Sequence, residues 1–156
     1  MGRILNINYI DYSPATKSLD LFVAGCNQPY CKDCCNPELL DFKNGQEWHA
    51  WKDNIEKYLA RFDSLVDNIF LLGGSFNHQD DKALEDILSY LSFFDKKIWL
   101  FAREDLNGVK PIFKKYCSYI KCGAYKPELC CSDNIQKGVL LATANQIIYE
   151  KGKDYV

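Results

Sequence analysis

Four short apolar segments, at residues 19–24, 66–72, 98–102 and 117–121, recur along the chain with amphipathic stretches between them. An apolar run without polar alternation reads as a strand buried on both faces, and strands that alternate with helices build βαβ units around a parallel sheet. The spacers fit helices. Behind Asn44-Gly45-Gln46-Glu47, with Asn44 as N-cap and Glu47 as its capping-box partner, Trp48, Trp51, Ile55, Tyr58, Leu59 and Phe62 recur at helical steps. This stripe predicts one long helix with an aromatic core face, and it leaves His49 on the surface. Residues 80–94 place Leu84, Ile87, Leu88, Leu91 and Phe94 on one face, and residues 109–116 take Pro111 in a first helical turn.

The flanks are less regular. Residues 3–12 read as an edge strand or an extended arm, and residues 139–141 with 147–149 as a closing hairpin or edge strands. The fold class expected is α/β, a mostly parallel sheet with flanking helices, in one domain over residues 1–156.

The first apolar segment runs through Ala24-Gly25 into Cys26, Cys31 and Cys34, with Cys35 directly behind. Cysteines at spacings x4 and x2 in one short loop can converge on a single metal centre. Structural zinc wants four ligands, so a local triad leaves it one short, whereas an iron-sulfur cluster can leave one iron open for a cofactor or substrate. Adjacent residues of an extended segment point to opposite faces. Cys26, Cys31 and Cys34 are therefore the expected ligands, and Cys35 lines the pocket. The loop begins at a strand's C-terminal end, the functional end of parallel α/β folds. Behind the second apolar segment, Gly73-Gly74-Ser75 would let a ligand approach the backbone closely, or would simply make the strand-to-helix turn.

Hydrophobic residues make up 47% of the 156 and aromatics 14%, which excludes a disordered chain. A net charge of −2 carries no footprint for nucleic acid. No signal-peptide pattern opens the sequence and no apolar run is long enough to span a bilayer, so no membrane partner is expected. The expected setting is cytoplasmic, where the eight cysteines stay reduced and clustered ones bind metal or act chemically.

The pattern LFVAGC, with two further cysteines and then Asn36, resembles the cluster loop of the radical S-adenosylmethionine activating enzymes, above all the small anaerobic ribonucleotide reductase activating proteins. The resemblance runs from residue 19 to about residue 148 and takes in Asn44-Gly45-Gln46, the Gly-Gly turn, the Trp99 strand, Cys122-Gly123 and Asn145-Gln146 in order. It implies a truncated TIM-like barrel with a [4Fe-4S] cluster on Cys26, Cys31 and Cys34. It further implies S-adenosylmethionine held near Asp33, Cys35, Asn36, Gly73, Gly74 and Ser75. The implied partners are a large glycyl radical enzyme and an electron donor such as flavodoxin or ferredoxin.

The chain departs from that pattern at four places. The family has x3 between the first two cysteines and this chain x4; Cys35 stands in place of an aromatic residue, Ser75 in place of an acid, and Cys122 in place of an Asp. Cys122, at the end of the fourth apolar segment, is a candidate catalytic residue, with a small buried side chain before a turn glycine as the alternative. Three other functions remain compatible with the residues. One is a radical enzyme acting on a different peptide or small molecule, another an iron-sulfur electron carrier. The third is a zinc module that adds Cys35, Cys122, Cys130 or Cys131 to the triad.

Overall fold

The computed structural model describes residues 3–30 and 37–156. Strand β1 (Asn6–Ser13) turns into β2 (Ser18–Val23), and β3 (Gln46–Glu47), β4 (Asn68–Gly73), β5 (Lys97–Phe101) and β6 (Tyr119–Cys122) follow. A hairpin of β7 (Ile135–Gln136) and β8 (Val139–Leu140) precedes β9 (Ile147–Glu150). The main sheet runs β3-β1-β2-β4-β5-β6-β9. Its centre, β2 to β6, pairs in parallel, while β1 on β2, β3 on β1 and β9 on β6 are antiparallel. The sheet is thus mixed, with a parallel centre and antiparallel margins.

Side-chain alternation separates two cores. Leu19, Leu21, Val23, Ile69, Leu71, Ile98, Leu100 and Ile120 point to the face covered by the helices, α1 (Lys52–Glu56), α2 (Asp81–Ser92) and α3 (Pro111–Tyr116). Helix α2 starts where Asp80 accepts from the Ala83 amide at 3.2 Å, and it buries Leu84, Ile87, Leu88 and Leu91 completely. Each such side chain contributes roughly 1.5–3 kcal/mol by leaving water. Helix α3 begins at Pro111, whose missing N–H is no loss in a first turn. On the opposite face, Phe70 and Trp99 lie under Leu141 and Ile148. The Trp99 indole N–H donates to Asn68 Oδ1 at 2.9 Å, so burial there leaves no donor stranded.

Two expectations change. The stripe from Trp48 to Phe62 is not one long α-helix: a 3-10 turn at Trp48–Trp51 leads into α1 and then a π turn at Lys57–Arg61. Asn44 does not cap it, because Gly45, at φ +82°, turns the chain into β3, and the Asn44 side-chain Nδ2 donates to the Glu38 carbonyl instead. Glu47 becomes the cap and accepts from the His49 amide. Trp48, Ile55 and Leu59 are buried, His49 is on the surface, and Phe62 at the stripe's end is exposed. Strand β1 is covered on its outer side by β3 at Asn6 and Ile7 and is an edge beyond them. Of the two alternatives for residues 139–141 and 147–149, the hairpin is absent and the edge strands are present: β8 joins β7, and β9 is the outer strand of the main sheet. Among the described residues no helix is long and apolar enough to cross a membrane.

Candidate functional site

The C-terminal ends of β2, β4, β5 and β6 lie side by side, and hydrogen bonds join each to the next. Past β2, Gly25 has φ +112° and donates its N–H to the Leu39 carbonyl at 2.8 Å, while the Cys26 N–H donates to the Leu40 carbonyl at 3.2 Å. A Cβ on Gly25 would fall inside the Phe42 ring, 2.0 Å from its nearest atom, so both backbone angle and packing demand glycine there. Cys26 is buried. It borders a cavity of about 520 Å³ whose lining includes Asn27, Tyr30, Glu38 and Phe42.

The turn after β4 is fastened to that segment. The Gly74 N–H donates to the Val23 carbonyl at 2.8 Å and the Ser75 N–H to the Gly25 carbonyl at 2.7 Å. A Cβ on Gly73 would lie 2.4 Å from the Val23 nitrogen, and one on Gly74 2.4 Å from the Leu39 oxygen. The space beside both glycines is therefore filled by the chain's own backbone. Gln79, 1% exposed, donates through Nε2 to the Ser75 carbonyl at 2.8 Å and the Ala24 carbonyl at 3.2 Å, bracing the two turns together.

A polar relay continues to β5. The Asn27 N–H donates to His78 Nδ1 at 2.9 Å. A backbone amide only donates, so Nδ1 is the accepting nitrogen and the ring proton sits on Nε2, which donates to Glu104 Oε2 at 2.6 Å. Asn77 donates to Glu104 Oε1 at 3.1 Å, and its own carbonyl oxygen accepts from the Lys110 amide at 2.9 Å. Arg103 donates to Glu104 Oε2 and to the carbonyls of Asn27 and Pro29. Burial would raise the Glu104 carboxyl, but the hydrogen bonds from His78 and Asn77 outweigh it and hold the group at about 2. The Gly123 N–H donates to the Glu104 carbonyl at 3.1 Å, which ties in β6.

Cys122 ends β6 on the helix-covered face with Ile120, and it borders a separate cavity of about 300 Å³ with Arg103, Asn145 and Tyr149. Burial pushes its thiol up to about 11, so it stays protonated at neutral pH. Asn145 donates to the Ala124 carbonyl at 3.0 Å and Gln146 to the Gly123 carbonyl at 3.3 Å, so this pair buttresses the end of β6. Cys130 is exposed and Cys131 half-buried. Cys31, Asp33, Cys34, Cys35 and Asn36 lie outside the described residues. Among the described residues no cluster of three or more His, Cys, Asp or Glu side chains is placed to hold a metal ion.

The structure thus brings Cys26 together with Gly73, Gly74 and Ser75. It adds His78, Gln79, Arg103 and Glu104, which sequence reasoning passed over. The signal for them was position alone: Arg103 and Glu104 follow directly behind a predicted strand, and His78 and Gln79 come just after the Gly-Gly turn of another.

The family model described as a 4Fe-4S single cluster domain matches residues 16–122, from just before β2 to the end of β6. The chain belongs to the 4Fe-4S single cluster domain family. No curated protein and no solved structure matches it. The cofactor of this iron-sulfur domain is a [4Fe-4S] cluster. The chain fits such a group at the buried thiol of Cys26, which projects from a backbone pinned on Leu39 and Leu40. Next to it, Ser75 Oγ and Gln79 Oε1 are buried with no hydrogen-bond donor among the described residues. Two stranded acceptors beside a cluster loop suit a ligand that brings N–H groups.

Proposed function

We propose that the chain is a radical S-adenosylmethionine protein that holds its cluster on Cys26, Cys31 and Cys34. The observation that carries this reading is the unit formed by Gly25-Cys26 and Gly73-Gly74-Ser75, at neighbouring ends of parallel strands and joined by the Ser75 to Gly25 hydrogen bond. Three thiolates leave one iron open to the amino and carboxylate groups of S-adenosylmethionine. The unpartnered oxygens of Ser75 and Gln79 support an ammonium-bearing ligand here, with Asp33, Cys35 and Asn36 completing its surroundings, while Gly73 and Gly74, packed against the backbone of Val23, Gly25 and Leu39, hold the turn that carries Ser75.

Bound there, cluster and cofactor would supply one-electron cleavage of the sulfonium. The chain's own residues hold the geometry. Phe42 packs over Gly25, Gln79 braces the two turns, and His78 with Arg103 fixes the backbone behind Cys26. That chemistry would serve to make a glycyl radical on a large partner such as anaerobic ribonucleotide reductase. The electron would come from a flavodoxin or ferredoxin in the cytoplasm. A parallel sheet centre with helices on one face supports a truncated TIM-like barrel.

Anaerobic reconstitution tests the reading. About four irons per chain, with deoxyadenosine formed from S-adenosylmethionine under dithionite, is the expected result. Bound cluster and bound cofactor without any deoxyadenosine would leave an iron-sulfur domain and remove the radical chemistry. Cys122→Ser tests the thiol on β6: lost turnover at full iron loading gives Cys122 a chemical role, and unchanged turnover a packing one.

A further inference from the structure

Amides that donate to a cluster's thiolates and sulfides withdraw charge and raise the reduction potential, so the partners of the ligand loop's N–H groups tune the centre as much as the ligands do. The first amide behind Cys26 is that of Asn27, and it points at His78 Nδ1, 2.9 Å away. The Asn27 carbonyl is taken as well, by an Arg103 guanidinium nitrogen at 2.8 Å. Both backbone polar groups of Asn27 are therefore held by side chains that meet on one carboxylate, Glu104. The His78 side chain is 10% exposed, its second nitrogen is fixed at 2.6 Å from Glu104, and Asn77 holds the other carboxylate oxygen. The ring has little freedom to release the amide.

We infer that His78 is a positioning residue that keeps the Asn27 N–H away from the Cys26 sulfur and so holds the cluster's potential low, with Glu104 and Arg103 locking it in that orientation. The inference rests on Cys26 being a cluster ligand, as proposed above. A low potential is what a centre needs if it is to pass an electron to a poorly accepting sulfonium. Without His78, the Asn27 N–H loses this acceptor and turns to the sulfur of the residue before it. An N–H to thiolate bond would form and stabilise the reduced cluster.

The test is the midpoint potential of the reconstituted cluster, read by titration under electron spin resonance, in His78→Ala, His78→Asn and His78→Gln. Asparagine offers an oxygen near the Nδ1 position and keeps the wild-type potential. Alanine removes the acceptor, and glutamine offers one only near Nε2; both move the potential upward at equal iron content. Hydrogen exchange of the Asn27 amide in cluster-free protein gives a second readout, with protection kept by Asn and lost with Ala. If Ala fails to load iron, the Asn and Gln pair decides. Equal potentials in Asn, Gln and wild type, or an unchanged Asn27 exchange rate in His78→Ala, would overturn the inference. Wild-type protein that takes up no iron, or keeps its cluster when Cys26 is replaced, would instead sink the ligand assignment beneath it.

Discussion

The amide of Ser75 donates to the carbonyl of Gly25 at 2.7 Å, so the turn after β4 and the residue before Cys26 move as one piece. Gly74→Ala sets a methyl 2.4 Å from the Leu39 oxygen and 2.5 Å from the Gly25 oxygen, both backbone atoms that cannot swing aside. The variant should lose about 1–3 kcal/mol of stability and load less iron, since the strain falls on the cluster loop. Denaturant titration and iron analysis check both, and wild-type values in each would contradict the packing argument.

Iron content should separate the cysteines. Cys26→Ala is expected to abolish cluster uptake, whereas Cys117→Ala, at a site buried in the helix-side core, should keep it while destabilising the fold. Absorbance of the reconstituted cluster and calorimetry read the two effects separately. Full uptake by Cys26→Ala would remove this residue from the ligand set.

Glu104 predicts an acid-sensitive site. Its native carboxyl at about 2 lies below the ordinary value of 4.5, so the stability it contributes is complete above pH 4.5 and is lost as pH falls toward 2. Glu104→Gln should cost roughly 1–3 kcal/mol at neutral pH and flatten the loss of stability between pH 4.5 and 2. Urea titrations of both proteins across that range decide it, and parallel pH profiles would refute the assignment.

Asp20 behaves in the opposite sense. Burial raises its carboxyl, although Ser13 and Ser18 donate to it at 2.5 and 2.6 Å. A raised native value means that ionisation burdens the folded state, a burden relieved as pH falls through it. Asp20→Asn should therefore hold or raise the melting temperature at pH 7, and a clear drop would show that the charge is needed.

The parallel centre was legible in the sequence because its strands are apolar runs separated by helical stripes. The helix behind Asn44 was not. A step of three from Trp48 to Trp51 suits a 3-10 turn as well as an α-helix, and the positive φ of Gly45, packed against the distant Ile7 backbone, has no local signature. The cysteine loop and the Gly-Gly turn announced themselves by composition. The relay of His78, Arg103 and Glu104 did not, because its members meet only when three strand ends are set side by side, and nothing in their spacing encodes that meeting.

Strands β2 and β4 pair from Ser18 with Asn68 to Val23 with Gly73, fifty residues apart at every step. The entropy of closing so long a loop must be met before any contact across it forms. Cys26 lies inside that loop, and Gly74 and Ser75 lie just beyond its far end. A cofactor bridging from a cluster at Cys26 to Ser75 would bind only the closed form, so its binding and the longest chain closure become one linked equilibrium. Iron and cofactor supplied together during refolding should then pull the chain through that step, whereas the β1 to β2 hairpin, closed by a short turn, forms at the same rate with or without them.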